Sequence, residues 1–287
     1  MMRCAGDVLL TRDDRTLIRC GTCGFIHVHP PYDPAQLEAF YRNEFGESTP
    51  SASWADKVWN VQRMKPGGRV LDVGCWEGAQ LELFLKAGDW ECTGTELNAR
   101  AAEVARRKGI TVHQVSLEEF VRQFHGQVWD VINLAYVLEH IPDPAGLLRQ
   151  LRSFLAPGGL LVVEVPNEFS PMQRAYLKAR GIEPYWVALP VHLNYFQPET
   201  LEAIATASGY DIVHRESTFP MELFLLMGED YLGRPDVGRA CFGRATQMEA
   251  HLRAYDPAAL SRMYSKLYEA GIGRALILYL RPAAGQP

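Results

Sequence analysis

The middle of the chain alternates between two hydrophobic periods. Short apolar runs of strand length occupy residues 69–73, 91–95, 110–115, 129–135 and 160–165. Amphipathic helical patterns fill residues 80–87, 99–108, 117–124 and 144–155 between them. Gly88 and Gly109 stop two of these helices, and Pro157-Gly158-Gly159 closes the fourth. Strands alternating with helices predict an α/β fold: a doubly wound, mainly parallel sheet with helices on both faces. Upstream, residues 36–41 carry a short helical pattern. Residues 51–64 carry a longer one, with Ser51 or Ser53 as its cap and Trp54, Val58 and Val61 on one face. Downstream, residues 198–208 read as a helix, 210–216 as a strand, 220–270 as mostly helical and 273–281 as a β-like run. The expected organisation is a turn-rich, cysteine-containing segment at 1–50, a core at 51–216, and a helical cap plus final strand at 217–287.

Composition narrows the class. Of 287 residues, 47% are hydrophobic, which suits a folded chain rather than a disordered one. No apolar run reaches the length of a membrane span. With no apolar region behind Met1-Met2-Arg3, a cytoplasmic location is expected. The net charge of −5 makes nucleic acid a poor partner. Six cysteines in a chain of this size do not read as a disulfide framework.

The most informative run is Val70-Leu71-Asp72-Val73-Gly74-Cys75-Trp76-Glu77-Gly78, where the first core strand gives way to the first core helix. Open α/β sheets bind ligands at such strand ends. A dinucleotide site wants Gly-x-Gly-x-x-Gly so that a helix N-terminus receives a pyrophosphate. Here Trp76 stands where the second glycine belongs, and Asp72 is a poor neighbour for an anion. The same carboxylate suits the ammonium and sulfonium of S-adenosylmethionine. Glu96 follows at the end of the second strand, spaced to hydrogen-bond ribose hydroxyls. Taken singly, Gly74-x-x-x-Gly78 is an ordinary strand-to-helix turn, and Glu96 equally reads as a helix N-terminal carboxylate.

Four segments in order make a more specific pattern. Val70 to Gly78, Glu96, the fourth-strand run Trp129-Asp130-Val131-Ile132-Asn133-Leu134-Ala135-Tyr136-Val137-Leu138-Glu139-His140-Ile141, and Pro157-Gly158-Gly159 with the strand after it resemble the class I S-adenosylmethionine-dependent methyltransferases. The resemblance covers residues 55–216 and implies a seven-stranded Rossmann-like sheet. It also implies that Asp72, Gly74 and Gly78 hold the methionine portion, that Glu96 and Leu97 hold the ribose and flank the adenine, and that Asn133 and Ala135 lie near the reactive end. Ser116 and Leu117 stand where the family often has an acidic residue for the adenine amino group, so Ser116 or Glu118 would serve instead.

Methyl transfer to oxygen or carbon needs alignment and benefits from a base. Two histidines are candidates: His192, between the fifth strand and the next helix, and His140, after the fourth strand. His192 is the preferred base, with a hydrogen-bonded structural histidine as the alternative reading. The small-molecule acceptor is expected to be a sugar or secondary metabolite, methylated on oxygen. The alternatives are a nucleotide-linked sugar methylated on carbon, or a non-catalytic cofactor-binding partner. Tyr176, Tyr185, Trp186, Phe219, Phe224 and Tyr231 read as an apolar wall over the acceptor, as a cap packing on itself, or as a homodimer surface. Finally, Cys20-Gly21-Thr22-Cys23-Gly24 looks like one knuckle of a zinc ribbon. Cys4 is the matching upstream position, but Asp7 replaces its partner cysteine, with His27 and His29 as spare ligands. Some methyltransferases of the resembled group carry such a knuckle. Zinc at Cys4, Cys20 and Cys23 and a metal-free ribbon both remain open.

Overall fold

The computed structural model describes residues 4–12, 14–43 and 53–284. Three strands come first: β1 (Gly6–Arg12), β2 (Arg15–Cys20) and β3 (Ile26–His29). This corrects the turn-rich reading of residues 1–50. The strands alternate too weakly to stand out, because β1 is exposed along nearly all its length. Then follow α1 (Pro34–Asn43) and α2 (Ser53–Met64). Ser51, one of the two expected caps, lies outside the described residues.

The core runs β4 (Gly68–Val73), α3 (Ala79–Ala87), β5 (Trp90–Thr95), α4 (Ala99–Arg107), β6 (Thr111–His113), α5 (Leu117–Gln123), β7 (Trp129–Ala135), α6 (Pro144–Leu151) and β8 (Leu155–Pro166). After it come α7 (Pro171–Arg180), the two-residue β9 (Asn194–Tyr195), α8 (Pro198–Ala207), β10 (Tyr210–Ser217), α9 (Glu222–Leu226), α10 (Pro235–Tyr255), α11 (Pro257–Glu269) and β11 (Ala275–Pro282). Pro157-Gly158-Gly159 does not close a helix. α6 ends at Leu151, and the three residues lie within β8, where the pairing with β7 shifts register.

Seven strands form one sheet in the order β10-β11-β8-β7-β4-β5-β6, with β11 antiparallel to both neighbours. The fold is the expected doubly wound α/β sheet. From β4 the chain winds outward through β5 and β6, then returns to the other side of β4 with β7. The crevice at the carboxyl ends of β4 and β7 is therefore the switch point where such sheets bind ligands. A second, antiparallel sheet has the order β1-β2-β3-β9. Because β9 comes from residues 194–195, the N-terminal strands share a sheet with a segment of the expected core. The 1–50 boundary thus separates sequence but not structure.

Strand alternation sorts the main sheet into two apolar faces. Leu71, Val73, Ile132, Leu134, Leu161 and Val163 pack in one buried cluster with α6 and α8. Val70, Val131, Leu160, Val162 and Tyr279 pack in the other, against α2, α3 and α4. One step further along this second face, alternation delivers Asp72, Asn133 and Glu164, all buried. Lys57 descends from α2 onto this layer, its Nζ 2.6 Å from Glu164 Oε2 with both side chains at most 1% exposed. Breaking a buried pair leaves an uncompensated charge. Lys57→Met is expected to destabilise the chain by about 3–5 kcal/mol in denaturant unfolding, whereas the apolar pair Lys57→Met/Glu164→Leu should recover most of that loss.

Candidate active site

The first core turn is built from left-handed backbone. Gly74 and Gly78 have φ of 70° and 72°, and Trp76, which carries a side chain, has φ of 49°. Tyr136, just beyond β7, has φ of 55°. Such angles are uncommon for residues other than glycine and cluster at functional sites. Trp76 and Tyr136 both line two cavities of the crevice. One, of about 440 Å³, is also lined by Gly74, Glu96, Leu97, Leu117, Val137, His140 and His192. The other, of about 290 Å³, is also lined by Asp72, Gly74, Gln80 and Ala135.

The expected cofactor residues fall into three groups. Gly74, Glu96, Leu97 and Leu117 line the larger cavity, and Asp72, Gly74 and Ala135 the smaller. Asn133 acts one step behind: its Nδ2 donates to Asp72 Oδ1 at 2.6 Å and to Gln80 Oε1 at 3.3 Å. Gly78 and Ser116 line neither cavity. A Cβ at Gly78 would lie 2.5 Å from Ile110 Cδ1 and 3.0 Å from Ala105 Cβ, so this glycine lets α4 and the turn after it pack close. Ser116 caps α5 in a reciprocal box with Glu119, its hydroxyl accepting from the Glu119 amide. The structure thus gives Ser116 a helix-terminal role.

Both strand-end carboxylates are buried, at 3% exposure for Asp72 and 8% for Glu96. Burial pushes Asp72 up to about 6, against the opposing effects of the Asn133 hydrogen bond and the Lys57 charge. Burial likewise raises Glu96. Glu96 is oriented by backbone: its oxygens accept from Trp76 N at 2.9 Å and Asn98 N at 2.7 Å. Each carboxylate oxygen keeps further acceptor capacity for a ligand hydroxyl.

The histidine side of the larger cavity joins the exit of β7 to the segment before β9. His192 Nδ1 lies 3.0 Å from Glu168 Oε1, and the ring borders the larger cavity. Burial pulls the imidazole down, but the Glu168 hydrogen bond and charge, with the Glu139 charge, outweigh it and raise His192 overall. His140 is the opposite case. Its Nδ1 lies 2.7 Å from the Val191 carbonyl, Tyr41 is beside it, and burial drops it to about 4. Burial also pushes Glu139 up to about 8, and neither of its carboxylate oxygens has a hydrogen-bond partner among the described residues. One ligand atom each from Glu139, His140 and His192 lies within 4.8 Å of the others, a set able to hold a divalent cation.

Sequence reasoning did not find Tyr136, Gln80 or Glu168. A positive φ leaves no mark in sequence, and Glu168 meets His192 only through the fold. Of the aromatic residues expected over the acceptor, Phe219 and Tyr231 line a third cavity of about 570 Å³ that shares Trp54 and Tyr136 with the second. Trp186 instead packs with Leu17, Ile26 and Val28 of the small sheet. Cys75, Cys92 and Cys241 are buried free thiols.

A family model described as a methyltransferase domain matches residues 51–215. The ubiquinone biosynthesis O-methyltransferase of Actinobacillus pleuropneumoniae is 34% identical over 110 residues, covering 35% of this chain and 47% of that one. The enzyme of the same name from Aromatoleum aromaticum is 36% identical over 156 residues, covering 50% and 64%. The chain therefore matches about half the length of these curated relatives. A solved S-adenosylmethionine-dependent methyltransferase from Mesorhizobium loti superposes with a TM-score of 0.51 at 19% identity, over 80% of this chain and 98% of that one. This likeness is one of fold.

The opposed histidine environments are directly measurable. In an NMR titration His192 should titrate above the ordinary histidine value and His140 near 4. Glu168→Gln removes the raising charge and leaves burial, so the His192 midpoint should move down.

Proposed function

The chain belongs to the methyltransferase domain family, and from that premise we propose that it transfers a methyl group from S-adenosylmethionine to an oxygen of a small-molecule acceptor. When bound, the cofactor supplies an electrophilic methyl group on a cationic sulfur. The chain's own residues fit such a ligand. Asp72, held by Asn133, offers a buried carboxylate to a cationic group, and Glu96 offers acceptors to ribose hydroxyls. Leu97, Val115 and Leu117 give an apolar lining that suits the adenine. Ser116 caps the helix that begins with Leu117, and Gly78 lets Ala105 and Ile110 pack close to the glycine turn.

The observation that carries the acceptor half is the Glu168–His192 pair beside the same crevice. Glu168 occupies one ring nitrogen and fixes the tautomer, which leaves the other nitrogen able to take a proton from an acceptor hydroxyl. This is the geometry of a base with its orienting group. It favours an active enzyme over a non-catalytic cofactor-binding partner. A carbon acceptor on a nucleotide-linked sugar would use the same base, so acceptor screening separates the two. A second reading is favoured by the unpartnered oxygens of Glu139: Glu139, His140 and His192 hold a divalent cation that orients the acceptor oxygen. Zinc at Cys4, Cys20 and Cys23 belongs, on either reading, to the small sheet and not to methyl transfer. No helix of the described residues is long and apolar enough to cross a membrane.

Calorimetry should give saturable S-adenosylmethionine binding, weakened at least about tenfold by Asp72→Ala and by Glu96→Ala, the loss of a charge-assisted contact being worth about 1.5–3 kcal/mol. Absence of binding by folded wild-type protein would end the proposal. Once an acceptor is found, His192→Ala should lower kcat by about 10²–10⁴ while cofactor binding persists. The acid limb of the wild-type pH–rate profile should lie above the ordinary histidine value, because the base works only when deprotonated and its pKa is raised. Loss of activity to a chelator, restored by a divalent ion, would select the second reading.

A further inference from the structure

The small sheet has an open end where apolar packing stops. β1 is exposed along most of its length, and Gly21 to Gly24 are exposed. The buried residues Leu17, Ile26 and Val28 lie further along, against Trp186 and Tyr195. At the open end four side chains converge instead. One ligand atom each from Cys4, Cys20, Cys23 and His27 lies within 4.8 Å of all the others. Cys4 Sγ and Cys23 Sγ are 3.4 Å apart. A tetrahedral ion with bonds of about 2.0–2.3 Å holds its ligand atoms roughly 3.3–3.8 Å apart, so the spacing matches.

Two further observations point to a ligand here. First, the Cys20–Cys23 turn is a preformed knuckle: the Cys23 amide donates to Cys20 Sγ at 3.3 Å, and the Gly24 amide to the Cys20 carbonyl at 3.0 Å. Second, His27 is set up as a metal ligand. Its Nδ1 lies 2.9 Å from the Val28 carbonyl, which fixes the proton on that nitrogen. Its Nε2 is then a bare lone pair, buried and without a hydrogen-bond partner among the described residues. Asp7, which stands in sequence where a fourth cysteine belongs, is not in the converging set.

We infer that Cys4, Cys20, Cys23 and His27 form a closed tetrahedral zinc site that clamps the small sheet onto the segment carrying His192. Three thiolates and a neutral imidazole would ligate, and binding releases the thiol protons to solvent. The clamp follows from the register. His27 lies opposite Asn194 of β9, and the Val28 amide donates to the Leu193 carbonyl at 2.9 Å. Leu193 N in turn donates to the Glu139 carbonyl at 2.8 Å, and Asn194 Nδ2 to the Ile141 carbonyl at 2.8 Å. A two-residue strand has little stability of its own, so the order of residues 191–195 depends on β3 staying in place. Only the consequence for His192 rests on the methyltransferase reading. The metal site stands apart from it.

The test uses the full chain purified without chelator. Elemental analysis should find about one zinc per chain, and cobalt exchange should give the intense visible absorption of a tetrahedral thiolate site. His27→Ala should weaken metal binding at least tenfold, His27→Cys should restore it, and Asp7→Ala should leave it unchanged. Hydrogen exchange at residues 191–195 should quicken at least tenfold when the metal is removed, while S-adenosylmethionine binding to the β4–β7 crevice persists. Metal below a tenth of an equivalent after reconstitution, a six-coordinate cobalt spectrum, or loss of metal with Asp7→Ala and not His27→Ala would overturn the site. Metal binding with unchanged exchange at 191–195 would overturn the clamp. Neither failure bears on cofactor binding, which is read separately.

Discussion

The structure turns on a layer of buried carboxylates at the carboxyl edge of a parallel sheet. Asp72, Glu96 and Glu164 come from three strands or their ends, all less than 10% exposed. Glu139 and Glu168 add two more in the loops beyond. Burying like charges together is unfavourable unless protons, donors or cations answer them. The fold supplies some of each. Lys57 answers Glu164, Asn133 and backbone amides answer Asp72 and Glu96, and Asp72 and Glu139 are pushed upward toward protonation. A cationic ligand in the crevice would relieve the remainder, so the acidic edge suits a sulfonium-bearing cofactor better than an anionic dinucleotide.

The acceptor side obeys a different constraint, which is position. His192 sits in a connection tied to both sheets, through Asn194 and Leu193 to the exit of β7 and through β3 to the N-terminal strands. Its partner Glu168 comes from the segment after β8. Three separate parts of the chain therefore converge on one imidazole, and a loop between them would not hold the ring on its own. The small sheet is the buttress of that arrangement.

Much of this was legible in the sequence. The alternating periods predicted the sheet and its helices because the central strands bury both faces and each helix one stripe. Asp72, Gly74, Glu96, Leu97 and Leu117, which line the crevice cavities, could be singled out because strand ends and glycine turns leave local marks. What escaped was set by long-range contact or by backbone geometry. The small sheet was hidden because β1 is exposed and β9 is two residues long. Gly78 and Ser116 sit in the right motif positions, yet serve packing and capping. Trp76 was read as an obstacle to a pyrophosphate, but its left-handed backbone, and that of Tyr136 in the same cavity linings, were not readable. His27 was one of several spare ligands until the fold selected it.

The most direct test of the carboxylate account is calorimetric titration of S-adenosylmethionine near pH 6 in two buffers of different ionisation enthalpy, which counts protons exchanged on binding. Burial raises Asp72 to about 6, so the free protein carries a proton there in part of the population near that pH. A cation bound beside it lowers its pKa, so net proton release is expected, reduced in Asp72→Asn. Tight binding with no proton release, or with the same release in Asp72→Asn, would contradict the claim that this carboxylate layer is what the cofactor answers.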